Sequence, residues 1–264
     1  GPVTKNDNAA EMCAAVVPEG DELFRRISLY DDYLAEVVNM PGYRAGDTLR
    51  LILPFMMAHG LTQERMGSFS ARGILVVPGA GEVLKAISEE GPAYIISTSY
   101  CQYVHAVCGA IGFPKDHTYC TRVNLVDFAI PDAEVAEVKR LSARILVREP
   151  IEIPSFASGP EDLSPDDQVT VADLDEVFWE ILPDMSVYSI VEEVSPVGGP
   201  EKATSIQKAA GMRDVPMHRV MYVGDSITDV SAFQLIRKEG GLAISFNGNE
   251  YAVREAQIAV LSKN

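Results

Sequence analysis

Short apolar runs alternate with helical segments in two stretches of this chain, and that alternation restricts the fold more than any other feature. In the first stretch, "GEVLKAISEE" is a helix, "AYIIS" is a short apolar strand, and "CQYVHAVCGAIG" is a second helix stopped by Gly112. "HTYCTRVNLVDF" is a further strand region. In the second stretch, "EKATSIQKAAG", "RVMYVGD", "DVSAFQLIRKEGG", "LAISF" and "EYAVREA" read helix, strand, helix, strand, helix, and "IAVLS" suits an edge strand. Strands that alternate with helices predict parallel βα units and an α/β, doubly wound parallel sheet.

The remaining segments differ in character. "DELFRRISLYDDYLAEVV" sets Leu23, Phe24, Ile27, Tyr30, Leu34 and Val37 near one face of a helix. "PGYRAGDTLRLILPFMMAHG" is a helix bounded by Pro-Gly and Gly stops. Residues 131–186 mix helical patterns with the loop-like "REPIEIPSFASGPEDLSPDDQ". The expected organisation is therefore an α/β core of residues 1–14, 73–130 and 187–264, a helical cap at 15–72, and an insertion at 131–186 that reads as a second cap element.

The chain has 264 residues and a formal net charge of −16. That field repels phosphate backbones and disfavours nucleic acid as a partner. It also repels anionic substrates, so any phosphate site must carry its own positive charge. No apolar run reaches the roughly 18 residues that span a bilayer. Four scattered cysteines in a long chain read as reduced thiols of a cytoplasmic protein. The sequence leaves the oligomeric state open.

The sharpest chemical signal is "VMYVGDSITD". An apolar strand runs into Gly224, which permits a tight turn at the strand's carboxyl end, the edge where open α/β sheets bind ligands. Asp225 and Asp229 come next, four positions apart, a spacing that suits two carboxylates around one hard cation. The plainer reading is a turn with an Asp helix cap. "AYIISTSY" ends a strand with Ser97, Thr98 and Ser99, where a hydroxyl and a neighbouring N–H suit a phosphate oxygen. Lys202 opens a helix after a Gly-Gly-Pro loop, against the helix dipole, although a solvated surface lysine is the plain alternative.

In order, these three stretches resemble the haloacid dehalogenase superfamily, most of whose members are Mg-dependent phosphohydrolases. The resemblance covers roughly residues 75–125 and 196–260. It implies that Ser97 is the second-motif hydroxyl, that Lys202 offsets phosphate and nucleophile charge, that Asp225 is a metal ligand, and that Asp229 is the supporting acid. It implies Mg²⁺ as cofactor and a small phosphorylated metabolite as substrate.

The family's first motif, Asp-x-Asp-x-Thr after an apolar strand, has no counterpart in the chain. Asp7 has no apolar strand before it and is rejected as nucleophile. "GPVTKNDNAAEMCA" instead resembles the turn and helix immediately after that motif in phosphoserine-phosphatase-like members, and an archaeal group known as subunit R of energy-converting hydrogenase begins similarly. In that alignment Gly1 and Pro2 take the fourth and fifth motif positions, with Pro2 replacing the usual Thr. The nucleophile is then expected three residues ahead of Gly1 and the acid/base one residue ahead. A leading Gly-Pro also suits the scar of a cleaved tag. The competing expectation is a non-catalytic accessory subunit of a redox or membrane-associated complex.

Weaker candidates complete the reading. Lys5, Asn6, Asp7 and Asn8 lie where the chain leaves the core, in position to contact substrate together with Thr98. Tyr30, Asp31, Asp32 and Arg44 read as surface residues in preference to a substrate-facing cap. Trp179, Phe178 and Ile181 read as core of the insertion. Cys101, His105 and Cys108 share a helix face at i, i+4, i+7 and read as ordinary packing, because a thiol–imidazole site lacks a fourth ligand.

Overall fold

The computed structural model describes residues 1–155 and 157–263. The chain divides into two compact units. One comprises residues 1–7, 70–121 and 197–264; the other comprises 8–69 and 122–196. The helical segment and the 131–186 segment fall in the same unit.

The first unit holds five strands: β1 (Ile95–Tyr100), β2 (Thr118–Thr121), β3 (Met221–Gly224), β4 (Leu242–Phe246) and β5 (Ile258–Val260). All pair in parallel, as β1–β2 in one sheet and β3–β4–β5 in another. Ser97 lies opposite Cys120, and Gly224 lies opposite Ser245. Each crossover carries a helix, as the return between parallel neighbours requires. The helix Cys101–Ile111 links β1 to β2, Val230–Lys238 links β3 to β4, and Glu250–Glu255 links β4 to β5.

Local sequence explains where these helices begin and end. Gly112 takes φ of 72° past the end of Cys101–Ile111, a left-handed conformation that costs glycine little. The Asn249 side chain accepts from the Ala252 N–H and caps Glu250–Glu255. Val230–Lys238 buries Ala232, Phe233 and Ile236 against Tyr222 and Ala243 of the strands. Ala93, Val104, Cys108, Phe113 and Cys120 form a second apolar cluster beside β1 and β2.

The second unit is helical. Gly20–Asp32 is α-helical and continues as a π-turn over Tyr33–Val37. The expected helix within 41–60 is two short pieces, Thr48–Leu51 and Leu53–Ala58, with Pro54 near the start of the second. Asp132–Val147 and Pro165–Asp175 come later in the chain, the latter capped by Ser164. Phe178 is fully buried and stacks on Tyr30 at 5.8 Å. Trp179 Nε1 donates to the Tyr30 hydroxyl at 2.7 Å, and that hydroxyl donates to Asp175. The packing role expected of Phe178 is observed.

The surface reading of Tyr30 and Asp31 is corrected: they are 0% and 3% exposed. Asp31 turns inward because its carboxylate accepts from the Gly46 N–H at 2.8 Å. Burial pushes its pKa up to about 7, only partly offset by that bond. Arg44 contacts the Ser195 hydroxyl at 3.4 Å.

Candidate active site

The centre of the site is a turn built around one carboxylate. Tyr222 and Gly224 point to the buried face of β3, and the chain then bends into a short 3-10 turn at Ile227–Asp229. Asp229 folds back over Gly224. A Cβ on Gly224 would lie 2.6 Å from the Asp229 carboxyl carbon, so only glycine admits that approach. Asp229 Oδ2 accepts from the backbone N–H groups of Asp225 at 2.9 Å and Ser226 at 3.0 Å. The Ser226 hydroxyl completes a reciprocal capping box with Asp229.

The other oxygen meets the lysine. Lys202 Nζ donates to Asp229 Oδ1 at 2.6 Å, and the Tyr222 hydroxyl donates to the same atom at 2.6 Å. Lys202 and Asp229 are 6% and 2% exposed. Burial alone would raise the Asp229 pKa, but the Lys202 charge and hydrogen bond, with those of Tyr222 and the Asp225 N–H, outweigh it and hold the carboxyl below its ordinary value. Lys202 reaches this position because Gly199, at φ of 47°, turns the Gly-Gly-Pro loop into the helix Pro200–Met212. The Gly199 N–H is anchored to the Thr228 carbonyl at 3.0 Å.

Asp225 is the carboxylate left half-open, with 32% of its side chain exposed. The Gly1 nitrogen lies 3.4 Å from its Oδ2. Burial raises the Asp225 pKa, the Asp229 charge adds to that rise and Lys202 opposes it, for a net upward shift. Hydroxyls connect this turn to β1. Thr98 Oγ1 lies 3.3 Å from Thr228 Oγ1, which lies 2.8 Å from Ser226 Oγ. Ser97 Oγ accepts from the Ser99 N–H at 3.2 Å. The structure thus brings Ser97, Thr98, Lys202, Asp225 and Asp229 to the carboxyl ends of β1 and β3 in one unit.

Both Asp229 oxygens accept hydrogen bonds, from Lys202, Tyr222 and the turn N–H groups, whereas Asp225 stays half-open. Asp225 fits a hard cation; Asp229 fits the role of the acid that holds the lysine and shapes the turn.

The early polar residues have other work. The Asn6 amide donates to the Gly73 carbonyl at 2.7 Å, and its oxygen accepts from the Leu75 N–H and the Tyr103 hydroxyl. Lys5 and Asp7 are exposed, and Asn8 is 1% exposed at the start of the helix Asn8–Val16. Thr121, Tyr222 and Thr228 escaped the sequence reading. Tyr222 sits in an apolar strand pattern, where a tyrosine reads as core, and Thr121 gives no local signal at all. In the fold its hydroxyl bridges the Thr98 carbonyl and the Val197 N–H, the latter at 3.0 Å.

The cysteine reading is also corrected. Cys101 and Cys120 form a disulfide with Cα atoms 5.1 Å apart, and Cys108 is buried in the core. Parallel pairing sets Cys120 beside the end of β1, where Cys101 begins the next helix.

A solved structure of gene product AF1437 from Archaeoglobus fulgidus matches with 32% identity and a TM-score of 0.84, over 99% of this chain and 76% of that one. This chain belongs to the AF1437 family. Two phosphoserine phosphatase structures also match, each at 15% identity and a TM-score of 0.53. The apo form is covered over 98% of this chain and 88% of its own, the substrate-bound complex over 97% and 87%. At that identity they establish the fold alone: the AF1437-family chain has an α/β fold like that of phosphoserine phosphatase. No protein-family model and no curated protein matches it. No helix among its described residues is long and apolar enough to cross a membrane.

Proposed function

We propose that this protein is a Mg²⁺-dependent phosphomonoester hydrolase acting on a small phosphorylated metabolite. The observation that carries the reading is the buried Lys202–Asp229 pair beside a half-open Asp225 at the carboxyl end of β3. In a chain of net charge −16, an anion site needs a local cation held in place, and Asp229 provides the fixed anchor for one.

Asp225 would hold Mg²⁺, which supplies charge neutralisation and orientation to a transferring phosphoryl group. Lys202 contributes a second positive charge. In this reading the Ser97 and Thr98 hydroxyls would turn to donate to phosphoryl oxygens. The attacking carboxylate in this proposal is an aspartate three residues ahead of Gly1. That aspartate attacks phosphorus, the ester oxygen leaves with a proton from the acid one residue ahead of Gly1, and water then cleaves the aspartyl-phosphate to release phosphate.

The test is turnover of a panel of small phosphate esters by the full natural chain with Mg²⁺. Asp225→Asn should lower kcat/KM at least about 100-fold, because metal ligands matter more than the groups behind them. Absence of turnover across the panel, or full activity in Asp225→Asn, overturns the reading. A stable partner co-purifying with an inactive full chain would favour an accessory subunit instead.

A further inference from the structure

Outside the candidate active site, the described residues contain one cluster of metal-ligating side chains. Cys101, His105 and Cys120 present two sulfurs and an imidazole nitrogen that all lie within 4.8 Å of one another. Two elements converge to make it: Cys101 opens the helix after β1, His105 stands one turn along that helix, and Cys120 lies in β2. Cys120 Sγ is 3.9 Å from His105 Nε2. Tetrahedral zinc, with bonds of about 2.3 Å to sulfur and about 2.0–2.1 Å to nitrogen, separates such atoms by about 3.6 Å. The Thr118 hydroxyl lies 3.4 Å from His105 Nε2 and donates to the Lys115 carbonyl. Cys101 and His105 are half-buried and Cys120 is buried, so the cluster has an apolar floor and an open side.

We propose that, in the reduced protein, Cys101, His105 and Cys120 bind a borderline-soft divalent cation of the Zn²⁺ type, with water in the fourth position. Two thiolates and a neutral imidazole suit such a metal and do not suit Mg²⁺ or Ca²⁺. Cys108, on the helix face that reads as ordinary packing, is indeed enclosed in the core, and it is Cys120, brought in through β1–β2 pairing, that joins Cys101 and His105.

The disulfide and the cation compete for the same sulfurs. Thiol–disulfide exchange with a dithiol breaks the Cys101–Cys120 bond, converts the dithiol to its cyclic disulfide, and leaves two thiols on the protein. Zn²⁺ then binds both as thiolates and releases two protons. Site occupancy is therefore gated by redox state. The cluster shares no residue with the phosphatase site, so the two proposals stand or fall separately.

The test uses the full chain, reduced with a dithiol under argon and freed of excess reductant, against the same chain left oxidised. Titration with Co²⁺ should give one equivalent bound per reduced chain, with sulfur-to-cobalt charge-transfer absorption that Zn²⁺ displaces. The oxidised chain should give none. Zn²⁺ should also shield Cys101 and Cys120 from iodoacetamide, read by peptide mass spectrometry, which needs no substitution. His105→Ala should weaken Zn²⁺ binding at least about 10-fold. Absence of the charge-transfer band in the reduced chain, or alkylation of both thiols unaffected by Zn²⁺, overturns the proposal.

Discussion

Removing the Lys202 ammonium would leave the Asp229 carboxylate buried at 2% exposure without its cation. Truncating one partner of a buried pair costs about 3–5 kcal/mol, so Lys202→Ala should lower the urea midpoint by a corresponding amount. Tyr222→Phe removes a single hydrogen bond to that charged group and should cost about 1.5–3 kcal/mol in the same assay. Asp31 acts in the opposite sense. The folded chain keeps its proton up to about pH 7, whereas the ordinary value is 3.8. Its contribution to stability is complete below about pH 4 and is lost as pH rises toward 7. The span corresponds to roughly 4 kcal/mol as an order of magnitude. Asp31→Asn keeps an acceptor for the Gly46 N–H and cannot ionise. Its unfolding free energy should match the parent near pH 4 and exceed it at pH 8.

Two glycines in helices show how packing overrides local preference. A Cβ at Gly20 would collide with the Cys13 carbonyl, because the start of Gly20–Asp32 crosses the end of the preceding helix at backbone contact. Gly20→Ala should destabilise by at least about 1–3 kcal/mol, the usual cost of overpacking. Gly211 lies in Pro200–Met212 with nothing within 4 Å of where a Cβ would stand, so Gly211→Ala should stabilise by about 0.5–1 kcal/mol. Paired urea melts of the two variants check both signs. Elements of this kind are largely legible in the sequence. Apolar spacing locates the helices at 80–90, 101–111 and 200–212, and the strands near 95–100, 221–224 and 242–246. The helix expected within 41–60 is broken in the fold, because Leu51–Pro54 reads as apolar helix but Pro54 has no N–H to continue it.

Each unit should answer to its own perturbation. The Cys101–Cys120 disulfide closes a loop with a sequence separation of 19 in the first unit. Opening a loop of that size costs about 3 kcal/mol in the chain-entropy account. Reduction should therefore speed amide hydrogen exchange in residues 70–121 and 197–263. Raising pH from 5 to 8 should instead weaken protection around Asp31 in the second unit, after correction for intrinsic exchange rates. Hydrogen-exchange mass spectrometry resolves the two patterns, and a uniform response to both treatments would contradict this assignment.

Short-range chemistry alone specifies the repeating βα pattern, the Gly224 turn, the isolated lysine at a helix start and the hydroxyls at the end of β1. Each is a local property: periodicity, a glycine where the backbone must bend, a charge set against a helix dipole. Long-range packing specifies which oxygen Lys202 engages, that Asp225 stays half-open while Asp229 does not, that Cys120 and not Cys108 meets Cys101, and that residues 8–69 and 122–196 share one unit. Those outcomes depend on strand register and on contacts between residues tens of positions apart. Nothing in the local pattern around Cys101 or Asp229 differs between the partner each could have taken and the one that packing supplied.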